Sequence, residues 1–293
     1  MFAPRMKWLA LVTAASLALS ALSVGRLEKL DPAEVVAAPE LKKETTKVSY
    51  DLNRDGSADE VEFVVLPDKE NGPEAPNVAL YVMVNGDLTS AVIGDWYDAY
   101  SYQFFELQKK TFMLLSLSGD GNDGERQIYS WEGKDFFLQR DLNRDFKEYE
   151  GVAMHLDAEL GNVTGNTLTM NISAQLPGLT QVTMRARYSL KSGQLKRKVD
   201  TYEVIPKYVY WNPKTFKSSR PSYLTTNKEI VLYKTKTCKK RVGEIDEGKK
   251  IVVTKVYIGG KYSSYYVRGK GWYKVKNNNY VAEDLFKGVM YVG

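Results

Sequence analysis

Short runs in which apolar and polar residues alternate occupy most of the chain after residue 46, and turn residues separate these runs. In the run Val182–Leu190 every second residue is apolar, whereas Arg185 and Arg187 stand between apolar neighbours. A period of two is typical of a β-strand, in which successive side chains point to opposite faces. Another run, Val78–Val84, ends at Asn85-Gly86, a dipeptide that favours the tight turn of a β-hairpin. We therefore expect an all-β chain whose first part consists of consecutive hairpins, in a propeller-like or sandwich arrangement.

The segment Asp51–Glu62 lies between two such runs and has the spacing of a calcium-binding loop. Oxygen-bearing side chains stand at positions 1, 3, 5 and 9, and Gly56 at position 6 accepts the strained backbone of the bend. Because its flanks are strands and not helices, the loop is predicted to be a hairpin turn, in which Glu62 at position 12 points to solvent. An acidic turn that binds no metal is the alternative. The predicted calcium ligands are Asp51, Asn53, Asp55, the backbone carbonyl of Ser57, and Asp59.

Two further segments are rich in oxygen side chains but have a different spacing. The letters of Asp51–Asp55 recur at Asp141–Asp145, where Phe146 replaces the glycine. A bulky residue resists the bend, so this repeat is predicted not to bind metal. In Asp120–Glu125 the spacing is broken, which favours a flexible turn over a weaker metal site.

The beginning of the chain has the composition of a secretory signal. Arg5 and Lys7 precede the apolar stretch Trp8–Leu19, and Ala21–Ser23 has the small-residue pattern of a cleavage site. Residues 1–23 are therefore predicted to be a signal peptide whose removal leaves no transmembrane segment. Residues 24–46 are predicted to be a linker. Export also suits the loop, because calcium outside cells is concentrated enough to fill weak sites.

Charge divides the chain in two. Residues 1–206 carry 22 Lys and Arg against 30 Asp and Glu, a net charge of −8, whereas residues 207–293 carry 19 against 6, a net charge of +13. Twelve of the 20 tyrosines also follow residue 200. Lysine beside tyrosine suits anionic polymers, because the cations meet charge and the rings lie against sugars. A solvated basic surface without a specific ligand is the alternative. We predict an acidic domain at 47–206, a connector at 207–221 and a basic domain at 222–293.

The basic domain resembles bacterial Src-homology-3-like (SH3-like) domains. The resemblance covers roughly residues 222–293, and the matching residues are Val242–Val253, Gly271–Lys276 and Asn279–Leu285. It implies a small β-barrel that serves as a targeting or peptide-recognition module and carries no chemistry itself. Two segments depart from the family: Ile230–Lys234 replaces its usual opening, and Tyr257–Gly269 is a longer insertion.

The first half is similar to secreted proteins of Gram-positive bacteria. The matching unit is the strand, calcium turn and strand around Asp51–Asp59, which also occurs in β-propeller repeats of the integrin-like and VCBS type. One copy of the unit matches here, whereas a propeller needs several blades.

Residues for catalysis are sparse. His155 and Cys238 are the only histidine and the only cysteine. The sequence therefore lacks a complete set of residues for zinc-dependent hydrolysis and for Cys/His or Ser/His catalysis. Cys238 is predicted to be a small strand residue without a disulfide partner. Candidates for a carboxylate-dependent glycan hydrolase are Asp95, Asp98, Glu106 and Glu125, and no pair among them stands out.

These observations predict an exported, non-catalytic calcium-binding protein that associates with the cell envelope. Calcium is expected as a structural ion, and a cell-wall polymer or a peptide is expected as the ligand of the barrel. Nucleic acid would suit the same basic surface, but an exported protein seldom meets it, so no such partner is predicted. We expect a monomer. The alternative is a hydrolase of peptidoglycan or another wall glycan, or an accessory protein of such an enzyme.

Overall fold

The computed structural model describes residues 42, 44–67, 77–119, 124–206, 208, 210–212, 217–219, 222–277 and 285–287. Its first sheet begins with a hairpin around the predicted calcium loop. The hairpin is confirmed, since Tyr50 pairs with Asp59 in antiparallel register. Val61 and Phe63 are buried, whereas Glu62 lies on the opposite face beside Lys47. The sheet contains four strands in chain order: β1 (Thr46–Tyr50), β2 (Asp59–Pro67), β3 (Asn77–Val84) and β4 (Asp87–Tyr97).

A second four-stranded sheet repeats this up-and-down order and is buried on both faces. Met113 and Leu115 pack against the first sheet, whereas Phe112 and Leu114 belong to a second core on the other side. A strand between two layers must be apolar at consecutive positions, which explains the uninterrupted apolar run of its second strand. The strands are β5 (Ala99–Leu107), β6 (Lys110–Ser118), β7 (Arg126–Trp131) and β8 (Phe136–Asp141).

The third layer begins after a helical turn, α1 (Leu142–Asp145), and a short 3-10 helix, Glu148–Glu150. Its first strands form another antiparallel set in which Leu168, Met170 and Ile172 face the core shared with the second sheet. These strands are β9 (Met154–Thr164), β10 (Thr167–Leu176), β11 (Thr180–Lys191), β12 (Gln194–Arg197) and β13 (Thr201–Ile205).

The remaining strands extend this third sheet. In the described residues it contains ten strands, ordered β18, β17, β22, β21, β20, β13, β11, β10 and β9, with β12 beside β11. Two small pairs, β14 with β15 and β16 with β19, lie outside it. The bounds are β14 (Tyr210–Asn212), β15 (Lys217–Ser219), β16 (Leu224–Thr225), β17 (Ile230–Tyr233), β18 (Arg241–Ile245), β19 (Lys250–Ile251), β20 (Val253–Tyr257), β21 (Tyr262–Val267) and β22 (Gly271–Lys276).

The fold is thus all-β and antiparallel, as predicted, but the strands that the structure describes form no closed barrel. The reason is that one edge of β20 pairs with β13. This edge is therefore not available to pair with another strand of residues 222–293 and close a barrel. The predicted connector 207–221 therefore lies between two strands that share a sheet. Most of the predicted closing segment Asn279–Leu285 lies outside the described residues.

Several predictions from the sequence fall outside the residues that the structure describes. These are the signal peptide 1–23, most of the linker 24–46 and of the connector 207–221, and residues 120–123 of the Asp120–Glu125 turn. In the described part of the chain, no helix has the length and apolar character needed to cross a membrane.

Candidate functional site

The loop Asp51–Asp59 is closed by hydrogen bonds from its own backbone. The carboxylate of Asp51 accepts hydrogen bonds from the backbone N–H groups of Asp55, at 3.1 Å, and Gly56, at 2.9 Å. Gly56 has a φ of +89°, a conformation that an L side chain would strain. Glycine at position 6 meets this requirement, and the bend brings the backbone N–H of Gly56 to the Asp51 carboxylate.

Asp55 lies exposed at the tip of the loop and is an acceptor on both oxygens. One oxygen accepts from the backbone N–H of Ser57 at 2.7 Å, and the other accepts from the amide of Asn53 at 2.9 Å. These donors stabilise the charged carboxylate and hold its pKa below the ordinary value, the Ser57 backbone having the larger effect. Asp55 is therefore ionised at neutral pH and carries the charge that a cation would need.

Asp59 joins the loop to the neighbouring hairpin. Its carboxylate accepts from the backbone N–H of Leu52 at 3.0 Å and from the side-chain amide of Asn85 at 2.8 Å. Asn85 also accepts from the backbone N–H of Glu60 at 2.9 Å. The sequence had identified Asn85 only as a turn residue, and its role beside the loop depends on the pairing of β2 with β3, which no local signal predicts.

Two contacts tie the loop to the second sheet. The guanidinium of Arg54 lies 3.2 Å from the carboxylate of Glu106 in β5, and the ring of Tyr50 stacks on Phe104 with centroids 4.5 Å apart. Burial and the nearby Glu106 carboxylate raise the pKa of Tyr50 to about 12. These contacts pack the loop and its first strand against the second sheet.

The predicted ligand set suits a hard cation in its chemistry. Three carboxylates, an amide oxygen and the carbonyl of Ser57 lie along one loop, and oxygen is the ligand that calcium takes. Within the residues that the structure describes, however, no three acidic, histidine or cysteine side chains are gathered as a metal cluster. The carboxylates of Asp51, Asp55 and Asp59 are oriented by N–H donors instead. Glu62 lies 3.5 Å from Lys47, on the face predicted for it.

The repeat Asp141–Asp145 differs in structure from Asp51–Asp55. Asp141 accepts a hydrogen bond from the backbone N–H of Arg144 and begins α1, and Phe146 is buried where the first copy has its glycine. Asn143 is buried and accepts from the backbone N–H of Arg126 at 2.7 Å. Asp145 pairs with Arg140. The oxygens of this copy thus bind groups of the protein.

The outer side of β20–β22 presents aromatic rings and lysines together. Trp272 and Tyr266 are cross-strand partners with ring centroids 5.3 Å apart, and both are partly exposed. The inward positions on the same strands, among them Tyr265 and Tyr273, are buried, so strand alternation places the two ring sets on opposite faces. We call the outward set the aromatic–basic face; its members are Lys255, Tyr257, Tyr262, Tyr266, Trp272 and Lys274.

The lysines of the aromatic–basic face lie against its rings. The Lys274 ammonium lies 3.5 Å from the centroid of Tyr262, and the Lys255 ammonium lies 5.8 Å from that of Tyr266. Such contacts hold a cation over a ring without removing it from solvent. The face therefore offers flat apolar surface and positive charge at the same place.

The other candidate residues lie on separate segments of the chain. Glu106 pairs with Arg54, and Glu125 accepts from the amide of Gln127 at 3.1 Å. Asp98 connects β4 to β5, and Asp95 belongs to β4. His155 lies at the start of β9 with a φ of +52°.

The sequence predicts a strand position for Cys238, and this prediction is wrong. Cys238 lies in the connection between β17 and β18. Its φ of +52° lies in the left-handed region, which suits a turn. Burial raises the pKa of its thiol, which disfavours the thiolate.

Comparison with known proteins adds no relative: the chain matches no protein-family model, and no curated protein is similar to it.

Proposed function

We propose that this chain is an exported, non-catalytic binding protein that attaches to the cell envelope through the aromatic–basic face. The single observation that carries this proposal is the pairing of Trp272 with Tyr266 on a partly exposed sheet surface that lysines border. Rings of this kind pack against the apolar faces of sugars, and the lysines attract the acidic groups of a polymer.

The proposal extends to the arrangement of the parts. The signal peptide at residues 1–23 is removed, the protein is a monomer outside the cell, and residues 222–293 act as an SH3-like module. Support comes from the segment Gly271–Lys276, which the resemblance identifies as a strand and which forms β22 in an up-and-down set with β20 and β21. The four-stranded sheets β1–β4 and β5–β8 have the strand order of propeller blades, which supports the similarity to VCBS-type repeats.

Binding to purified cell-wall polymer tests the proposed function. The full-length mature chain is expected to sediment with the polymer at low salt and to lose most of this binding near 1 M salt, where the Debye length falls to about 3 Å. Retention that salt does not change would contradict the role of the lysines. Release of soluble wall fragments during the incubation would favour the hydrolase alternative instead.

Calcium in the loop Asp51–Asp59 is the second part of the proposal. Asp51, Asn53, Asp55, the Ser57 carbonyl and Asp59 would hold the ion, which supplies structural stabilisation and no reaction. The support is the ligand spacing and the ionised, exposed Asp55 at the loop tip. A ligand of the folded state stabilises it by mass action, by about 2.7 kcal/mol at a hundredfold excess over the dissociation constant.

Thermal unfolding with and without a chelator tests the calcium site. Chelation is expected to lower the melting temperature of the wild-type chain, by roughly 2–8 °C if the ion contributes about 1–2 kcal/mol. Asp55→Ala is expected to melt at the same temperature with and without calcium. Asp141→Ala is the matched control, and it should keep the full calcium response. Identical melting of the wild-type chain in both solutions would end the calcium proposal.

A further inference from the structure

The outer side of the ten-stranded sheet carries one row of residues across the predicted domain boundary. Each pair of neighbours in the row is in register on adjacent strands, from β22 to β10. All the members point outward, because the residues adjacent to them on their strands are buried, apart from the half-buried Thr254 beside Lys255. In order, the row is Trp272, Tyr266, Lys255, Glu203, Arg185 and Asn171.

A hollow of about 330 Å³ lies in the middle of this row, where β13 joins the two parts of the chain. Its lining includes Arg185, Glu203 and Lys255, together with Ile205, Pro206 and Thr254. That volume falls within the range of about 300–1,000 Å³ that small-molecule clefts occupy. The hollow is open to solvent and continuous with the aromatic–basic face through Lys255.

The charge at the hollow is positive. The carboxylate of Glu203 pairs with Arg187 at 3.1 Å, which compensates the one acidic group of the lining. Among the residues that the structure describes, Arg185 has no acidic partner within ion-pair distance. Among the described residues neither Arg185 nor Lys255 forms an ion pair, and the two cations line the hollow on opposite sides of Glu203.

The spacing of the row selects an elongated ligand. Four steps between adjacent strands separate Trp272 from Arg185, or about 19 Å at roughly 4.8 Å per step. A single sugar cannot reach both ends. Beyond Asn171 the row meets Glu159 of β9, and Asp157 lies on the same outer face. These carboxylates repel a polyanion, so the favourable track ends at Asn171.

We propose that the envelope ligand is a linear acidic glycan that lies along this row, with a sugar ring on Trp272 and Tyr266 and an acidic group in the hollow between Lys255 and Arg185. The inference rests on the proposed function and specifies its ligand. The acidic group is a carboxylate or a phosphate, since both suit a lysine and an arginine. Residues of the predicted acidic domain, Arg185 above all, are therefore part of the binding surface.

Binding of the full-length mature chain to defined glycans tests this inference. The probes are hyaluronate, which has a carboxylate on every second sugar, a glycosylated poly(ribitol phosphate), and neutral N-acetylglucosamine oligomers. We expect Arg185→Gln to weaken binding of an acidic polymer about threefold, as loss of one exposed charge pair would. Binding of the neutral oligomers should not change. Glu203→Gln should strengthen binding of the acidic polymer, and the control Arg144→Gln, at an exposed arginine outside the row, should have no effect.

The comparison of the two acidic probes identifies which acidic group is bound, and either preference supports the inference. If Arg185→Gln bound an acidic polymer as tightly as the control variant, the inference would be overturned. The proposed function would still stand in that case if Trp272→Ala abolished binding. Equal or weaker binding by Glu203→Gln would also overturn it. If the full chain bound none of the probes and no wall polymer, the proposed function would fail together with the inference.

Discussion

Asp145→Ala is expected to lower the free energy of unfolding by about 3 kcal/mol, because it removes one partner of a largely buried ion pair. The Asp145 carboxylate accepts a hydrogen bond from Arg140 Nε at 2.8 Å and another from the Tyr188 hydroxyl at 3.2 Å. Burial raises the pKa of Tyr188 well above its ordinary value, so this hydroxyl stays protonated and donates. Without Asp145, both donors lose their acceptor in a site that water reaches poorly.

Denaturant unfolding measures this loss, with the slope of the transition compared between variants to confirm two-state behaviour. The matched control is Asp55→Ala in chelator, since Asp55 is the fifth letter of the same five-residue segment but lies exposed. We expect it to leave stability in chelator nearly unchanged. The double variant Arg140→Met, Asp145→Leu removes both partners of the ion pair. It should lose less free energy of unfolding than Asp145→Ala, because no buried charge is left unpaired. Equal stability of Asp145→Ala and the wild type would show that the network contributes nothing.

The contrast between the two copies shows what the sequence could predict. Alternation on both sides of Asp51–Asp59 was enough to predict the hairpin, because the pattern of strands is local. Glycine against phenylalanine at the sixth position was enough to predict that the copies differ. That Asn143 and Asp145 would bind Arg126 and Arg140 depends on packing between distant segments, which no local pattern specifies.

The row on the outer sheet face illustrates the same limit. The composition of residues 207–293 predicted a basic, tyrosine-rich surface, and strand alternation assigns Trp272 to its outward side. The register between β13 and β20 joins segments separated by more than 40 residues and by three prolines. Because that pairing is tertiary, the sequence predicted separate domains and gave no sign that Arg185 and Lys255 line one hollow.

Replacing both Trp272 and Tyr266 with alanine is expected to remove most of the binding to wall polymer. Truncation of a binding hot spot, a class in which Trp and Tyr are enriched, costs about 2 kcal/mol or more, which is about thirtyfold in the dissociation constant. Both side chains point outward from the sheet, so the inward core residues Tyr265 and Tyr273 keep their packing. The double variant should therefore fold and melt close to the wild type.

Phe137→Ala is the matched control for this variant. Phe137 is 50% exposed on β8, in a different sheet, and its loss removes an exposed aromatic ring outside the proposed surface. Polymer binding by this variant should equal that of the wild type. A fall in binding shared by both variants would indicate a general effect of surface apolarity instead of a site.

The central claim is that the aromatic–basic face binds an envelope polymer, and sedimentation of full-length mature protein with purified wall polymer at one low salt concentration tests it most directly. The wild type and Phe137→Ala are expected to sediment with the polymer, and the variant lacking Trp272 and Tyr266 is expected to remain in solution. Binding of that variant with the affinity of the wild type would contradict the claim.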